Sequence, residues 1–147
     1  MIRTKKRMRL CAVLLACILV FIWGNSLMPA GVSERFSDSV QDFLLGMDEG
    51  SGSSVLRKVA HFTEFAALGM CLGWLFGMLG KGRVRPLILG IAAAFVDETI
   101  QIFVPGRASQ LRDVAIDSCG AAAGLFVLWI GYHFLQKRST KPTSEDL

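Results

Sequence analysis

Charged residues are scarce in this chain and are confined to a few short clusters. Only 19% of the 147 residues are charged, whereas 52% are hydrophobic. The apolar residues form long blocks in place of the short periodic runs of a soluble domain. The formal net charge of +4 comes mostly from clusters beside those blocks, and no basic face interleaved with aromatic residues is present. The composition therefore indicates a membrane protein and argues against a nucleic-acid partner.

Recognisable catalytic and metal-binding motifs are also missing from the sequence. It has no nucleophile elbow, no phosphate-binding loop and no metal-hydrolase signature. The four cysteines lie inside apolar blocks, and no two have metal-ligand spacing: Cys11, Cys17, Cys71 and Cys119. We interpret them as small apolar residues.

Four apolar segments are long enough to cross a bilayer, which takes about 20 residues. They are residues 10–28, 59–79, 86–104 and 114–135. The first follows a basic N-terminus, as a signal peptide does, but no convincing cleavage site follows it. We therefore predict an all-α membrane protein in which a single domain, 1–147, forms a four-helix transmembrane bundle with a disordered tail at 139–147.

Basic residues predict the orientation of these spans, because Lys and Arg of short loops stay on the cytoplasmic side. Three basic segments fall on one side of a four-span topology: residues 1–9, 81–85 and 137–141. Both termini are therefore predicted to be cytoplasmic in a multi-pass protein of the bacterial cell membrane. In the first external loop, apolar residues recur at helical spacing over 32–45, which predicts a short amphipathic helix.

Glycines recur along two of the predicted spans. Gly69, Gly73 and Gly77 stand at every fourth position of the second span, and Gly120 and Gly124 lie on the fourth. Small residues at this spacing allow two helices to approach closely. We predict that both glycine stripes are packing surfaces.

Polar and ionisable residues interrupt the apolar segments near their predicted outer ends. A carboxylate at the bilayer centre costs roughly 2.5–3.5 kcal/mol on insertion scales, so such residues normally face protein or water. In the four-span topology, three helices bring these groups to one depth beneath the outer surface. The predicted binding site comprises Lys58, His61, Glu64, Asp97, Glu98, Gln101, Arg107, Asp113 and Asp117.

Carboxylates outnumber cations in this predicted site, so at least one carboxyl is expected to be protonated or to face a cation. We predict no cofactor, but a divalent cation held by nitrogen and oxygen ligands is left open at His61, Glu64, Asp97 and Glu98. The alternative for Asp97, Glu98 and Arg107 is structural, a buried ion-pair network that fixes helix register.

Three motifs around these residues resemble the VanZ-like family of small bacterial membrane proteins. They are KVAHFTEF at 58–65, DETIQIFVPGR at 97–107 and DVAIDSCG at 113–120. Asn25-Ser26-Leu27 also fits, and the likeness covers most of residues 15–130.

The family's namesake is an accessory factor in resistance to the glycopeptide antibiotic teicoplanin, so the resemblance implies a role in the cell envelope. This sequence departs from the family pattern at two positions. Phe65 stands where Tyr is frequent, and Asp117 stands where Asn is frequent. A lost phenol and a gained carboxylate would both alter hydrogen bonding in the predicted site.

Three classes of function are compatible with these residues. The first is a binding or accessory protein whose outer-facing pocket holds an envelope lipid, a cell-wall precursor or an amphiphilic drug, with Arg107 and Lys58 contacting phosphate or carboxylate. The second is a membrane enzyme that modifies such a lipid, with Glu98 or His61 as general base and Arg107 as charge stabiliser. The third is a small proton-coupled transporter, which would need to be a homo-oligomer because the chain is short and lacks inverted repeats.

Overall fold

Four long helices form most of the chain that the computed structural model describes, which is residues 2–33, 35, 39, 53–82, 84–107 and 110–139. The helices are α1 (Ile2–Ser26), α2 (Ser53–Met78), α3 (Val84–Ile102) and α4 (Leu111–Ser139). No strand occurs among these described residues, so the prediction of an all-helical protein is confirmed.

Two predictions fall largely on residues that the structure does not describe. Residues 30–33 are helical, but most of the amphipathic helix predicted over 32–45 lies outside the described residues. The same holds for most of the tail predicted at 139–147.

Three of the four helices are long and apolar enough to cross a membrane. Their qualifying segments are Thr4–Ser26, Val55–Met78 and Leu111–Lys137. Helix α3 is not among them, since it carries Arg85, Asp97 and Glu98 within its 19 residues. Asp97 and Glu98 are nevertheless buried against the other helices, and the fourth span and the orientation of all four remain predictions.

Helices α2 and α3 lie in the middle of the assembly, because each of them contacts all three other helices. The contact between α2 and α4 is the most extensive, and α1 packs against α2 and α3. Every helix contributes to the apolar core, which includes Ile22, Phe65, Leu68, Ala94 and Val114.

The contact between α2 and α4 depends on glycines of α4. A Cβ atom at Gly120 would overlap the carbonyl oxygen of Phe62, and one at Gly124 would overlap the carbonyl oxygen of Ala66. The two backbones therefore touch directly, at a separation that no larger residue permits.

The glycine stripe predicted on α2 is confirmed at two of its three positions. A Cβ atom at Gly69 would overlap the carbonyl oxygen of Ala121, and one at Gly73 would lie 2.7 Å from Leu125 Cδ2. A Cβ atom at Gly77 would meet nothing within 4 Å, so this glycine is not part of the packing surface.

The turn after α3 returns the chain to the end of α1. Gly106 has a φ of 78°, in the left-handed region that glycine adopts without steric cost. The backbone nitrogen of Ala30 lies 3.5 Å from the carbonyl oxygen of Pro105. This turn brings Arg107 beside the C-terminal end of α1.

Candidate functional site

A polar pocket of about 290 Å³ lies where the C-terminal end of α3 meets the N-terminal ends of α2 and α4. Seven of the nine predicted site residues line it: Lys58, His61, Glu98, Gln101, Arg107, Asp113 and Asp117. The expectation that three helices deliver their polar groups to one place is therefore met by their geometry.

The other two predicted residues, Glu64 and Asp97, are bonded to α1 behind the pocket lining. Asn25 Nδ2 donates a hydrogen bond to Glu64 Oε1 at 2.9 Å. Ser26 Oγ donates to Asp97 Oδ1 at 2.6 Å, and Gln101 Nε2 donates to Asp97 Oδ2 at 2.9 Å. Asp97 and Ser26 are both completely buried. Helix α1 thus completes the polar cluster.

Glu98 connects α3 to the start of α4. Its Oε2 accepts a hydrogen bond of 2.9 Å from the backbone nitrogen of Gln110, immediately before the first residue of α4. A carboxylate at this place satisfies an unpaired backbone donor and is favoured by the helix dipole. The other oxygen, Oε1, is buried and has no hydrogen-bond partner within the described chain.

Arg107 has the opposite role at the C-terminal end of α1. Its Nε donates to the carbonyl oxygen of Met28 at 3.0 Å, and its Nη2 donates to that of Asn25 at 3.1 Å. A cation at this end of a helix satisfies carbonyl groups and complements the dipole.

Burial lowers the pKa of Arg107, and nearby Arg57 lowers it further, whereas Asp97 and Glu98 raise it. An arginine remains protonated under all these influences. Arg107 forms no ion pair with a carboxylate among the described residues. Arg107 donates to backbone carbonyls instead, so the structure does not show the ion-pair network that was the alternative for Asp97, Glu98 and Arg107.

Two other cations also line the pocket. Arg57 and Lys58, in the first turns of α2, make no hydrogen bond or ion pair with any residue that the structure describes. Asp113 Oδ1, in the first turn of α4, is likewise unpaired and buried. Arg112 is exposed and lies outside the pocket lining.

One group of side chains in this cluster has the composition of a metal site. His61, Asp97 and Asp117 each offer a ligand atom, and these atoms lie within 4.8 Å of one another. His61 Nδ1 is 3.9 Å from Asp97 Oδ2 and 4.0 Å from Glu64 Oε2, which is too long for a hydrogen bond. Of the four residues left open from the sequence, His61 and Asp97 belong to this group, and its third member is Asp117.

Sequence reasoning did not assign four residues of this region to the site. Arg57 adjoins Lys58 at the start of a predicted span. The argument that assigned Lys58 to the site also applies to Arg57. Asn25 and Ser26 are polar residues at the end of an apolar run, which is a usable signal. Gln110 contributes only its backbone nitrogen, which donates to Glu98, and the identity of a side chain gives no signal for such a contact.

The helices and the pocket define a helical membrane protein with a buried polar cluster at one end of its helices. The family model described as VanZ/LLP1 matches residues 11–132. The chain therefore belongs to the VanZ/LLP1 family, as the three motifs predicted. No curated protein and no solved structure matches this chain.

Proposed function

We propose that this protein is a multi-pass protein of the bacterial cell membrane that binds the anionic headgroup of an envelope lipid or lipid-linked cell-wall precursor. The observation that carries the proposal is the pair Arg57 and Lys58, which line the pocket and have no partner among the residues that the structure describes. Charge-assisted hydrogen bonds to phosphate or carboxylate would satisfy both cations. A pocket of about 290 Å³ has room for a headgroup.

The proposal includes a topology in which α3 also crosses the membrane and both termini are cytoplasmic. Its support is the charge distribution of the loops and the burial of Asp97 and Glu98 within the helix assembly. In a variant without native cysteines, single cysteines at Ser53 and Ser109 should react with an impermeant thiol reagent in whole cells. A cysteine at Gly82 should react only after lysis, and the reverse pattern would reject the topology.

We further propose an accessory role in resistance to teicoplanin-type glycopeptides, which rests on the family's namesake. A protein that holds a precursor headgroup at the outer surface acts where such drugs act. If the pocket is responsible for this role, Lys58→Ala should make cells more susceptible to teicoplanin while the amount of the protein in the membrane stays the same. The control is Arg112→Ala, which removes an exposed cation outside the pocket and should leave susceptibility unchanged.

The direct test is native mass spectrometry and lipid analysis of protein purified in mild detergent. Wild type and Arg112→Ala should retain the same anionic lipid, whereas Arg57→Ala and Lys58→Ala should lose most of it. Equal lipid retention by all four proteins would reject the binding function.

The same preparations discriminate the other two classes of function. Turnover of the retained lipid would indicate an enzyme that uses Glu98 or His61. Proton or solute flux in liposomes would indicate a transporter.

A further inference from the structure

We propose that His61, Asp97 and Asp117 bind a divalent cation within the polar cluster. The three residues come from α2, α3 and α4, and their ligand atoms lie within 4.8 Å of one another. Metal–ligand bonds of about 2.0–2.2 Å put the ligand atoms of a tetrahedral site roughly 3.3–3.6 Å apart. Each of the three groups would therefore have to move inward by up to about 1 Å to hold one ion at such bond lengths, a shift that side-chain rotation can supply.

Two of these residues have polar side-chain atoms to which no described residue of the chain bonds. Asp117 is 2% exposed, yet it makes no hydrogen bond or ion pair with any residue in the described part of the chain. His61 Nδ1 is buried and also has no hydrogen-bond partner in that part of the chain. Asp117 lines the pocket, so its carboxylate is open to a ligand from that side. The buried imidazole nitrogen beside it is a polar atom of the kind that folded proteins nearly always satisfy.

Glu98 supplies a second, independent observation. It is 4% exposed and lines the same pocket as His61 and Asp117, and its Oε1 is unpaired. Its other oxygen is held by the backbone nitrogen of Gln110, which fixes the carboxylate in place. Oε1 is therefore available as a further oxygen ligand, directly or through a water molecule.

Asp97 has the environment of a pre-oriented metal ligand. Ser26 donates to one of its oxygens and Gln101 donates to the other. Hydrogen bonds of this kind orient carboxylate ligands in metal sites while leaving a lone pair for the ion.

The charge of the cluster also favours a divalent ion. Five carboxylates lie in or behind the pocket, and they are Glu64, Asp97, Glu98, Asp113 and Asp117. Three cations line it, and they are Arg57, Lys58 and Arg107. If all are ionised, two negative charges remain, and a divalent cation would neutralise them at the point where the carboxylates are closest together.

One imidazole with two or three carboxylates suits a borderline or hard first-row ion, such as Mn²⁺ or Zn²⁺. The inference goes beyond the proposed headgroup binding, because it concerns the protein and the metal alone. A bound ion would add a positive centre to the pocket, but its binding does not require a lipid.

The test is Mn²⁺ binding by the full chain, purified with chelator, in lipid nanodiscs. Titration followed by electron paramagnetic resonance should show one saturable site, and pulsed measurements should detect coupling to an imidazole nitrogen. The chain has two histidines. His61→Gln should abolish the nitrogen coupling, whereas the matched control His133→Gln, exposed at the far end of α4, should retain it.

Asp117→Asn should lower Mn²⁺ affinity at least tenfold. Asp113→Asn, which removes a carboxylate from the same pocket but not from the three-residue group, should lower it only a few-fold. Wild type with no saturable Mn²⁺ or Zn²⁺ site, or a nitrogen coupling that survives His61→Gln, would overturn the proposal. Should Asp117→Asn fail to fold, the two histidine variants decide the matter. Equal lipid retention in wild type, Arg57→Ala, Lys58→Ala and Arg112→Ala, with Mn²⁺ binding intact, would reject only the headgroup function.

Discussion

The hydroxyl of Ser26 lies 2.6 Å from Oδ1 of Asp97, and this hydrogen bond joins the last residue of α1 to the buried carboxylate of α3. Helix α3 carries three charged residues. One of them, Asp97, is buried and accepts hydrogen bonds from Ser26 of α1 and from Gln101 of its own helix. The bond is thus part of what allows a charged helix to be buried among apolar ones.

Replacing Ser26 with alanine should therefore destabilise the protein. Interhelical hydrogen bonds in membranes contribute about 1–2 kcal/mol, and Ser26→Ala leaves a lone pair of Asp97 without its donor. We expect a lower thermal unfolding midpoint in detergent. Thr99→Ala is the control, because this exposed hydroxyl bonds to the carbonyl oxygen of Phe95 in its own helix; an equal loss in both variants would contradict the prediction.

The glycines of α4 give a second prediction. Gly124→Ala places a Cβ atom onto the carbonyl oxygen of Ala66, so α2 and α4 must separate. Overpacking of this kind costs about 1–3 kcal/mol, measured as lower thermal stability or a lower yield of folded protein. Gly131→Ala is matched in chemistry but meets nothing within 4 Å, and it should be neutral or slightly stabilising.

Glu98 and Arg107 should behave differently under conservative substitution. Glu98→Gln keeps an oxygen acceptor for the backbone nitrogen of Gln110, so the protein should fold with a stability near that of wild type. Arg107→Lys cannot reproduce two hydrogen bonds to the carbonyls of Asn25 and Met28 from one planar group. We expect it to unfold at a lower temperature than Glu98→Gln, and the opposite order would contradict the capping roles.

A cross-linking prediction tests how α1 and α2 meet at the end away from the pocket. The Sγ atoms of Cys11 and Cys71 lie 3.6 Å apart and are buried. A membrane-permeant oxidant should join them within one chain, which intact mass spectrometry would detect as the loss of two hydrogen atoms. Cys11→Ser should prevent the reaction, and Cys17→Ser should not, since Cys17 is exposed on the outer surface of α1. Persistence of both thiols under oxidation would mean that the two helices pack differently.

The sequence predicted where the polar groups would gather but not what each would bond to. Helical spacing and alternating span direction are enough to bring His61, Gln101 and Asp113 to one end of the helices, because both follow from residue numbers alone. The partners depend on how helix ends and turns are placed in three dimensions. Glu98 bonds to the backbone nitrogen of Gln110, and Arg107 bonds to backbone carbonyls, and neither partner has a side-chain signature.

Helix α3 shows a second limit of the pattern. Its apolar residues suggested a span, yet three charges leave it outside the helices that qualify by length and composition. Hydropathy adds up residues without regard to direction, whereas burial depends on which face a residue occupies. Asp97 and Gln101 are four positions apart and share the buried face of α3. The free-energy cost of placing them within a membrane therefore cannot be read from the summed hydropathy of the segment.

The direct contact of the α2 and α4 backbones also limits what the pocket can accept. It begins at Phe62 and Gly120, next to His61 and within one turn of Asp117, so nothing can slide further down between these two helices. Between these two helices the pocket therefore leads to a closed backbone contact. For the headgroup binding proposed above, the hydrocarbon chain of the lipid could not follow its head between α2 and α4. Lipids that differ only in their hydrocarbon chains should then compete for the pocket on nearly equal terms.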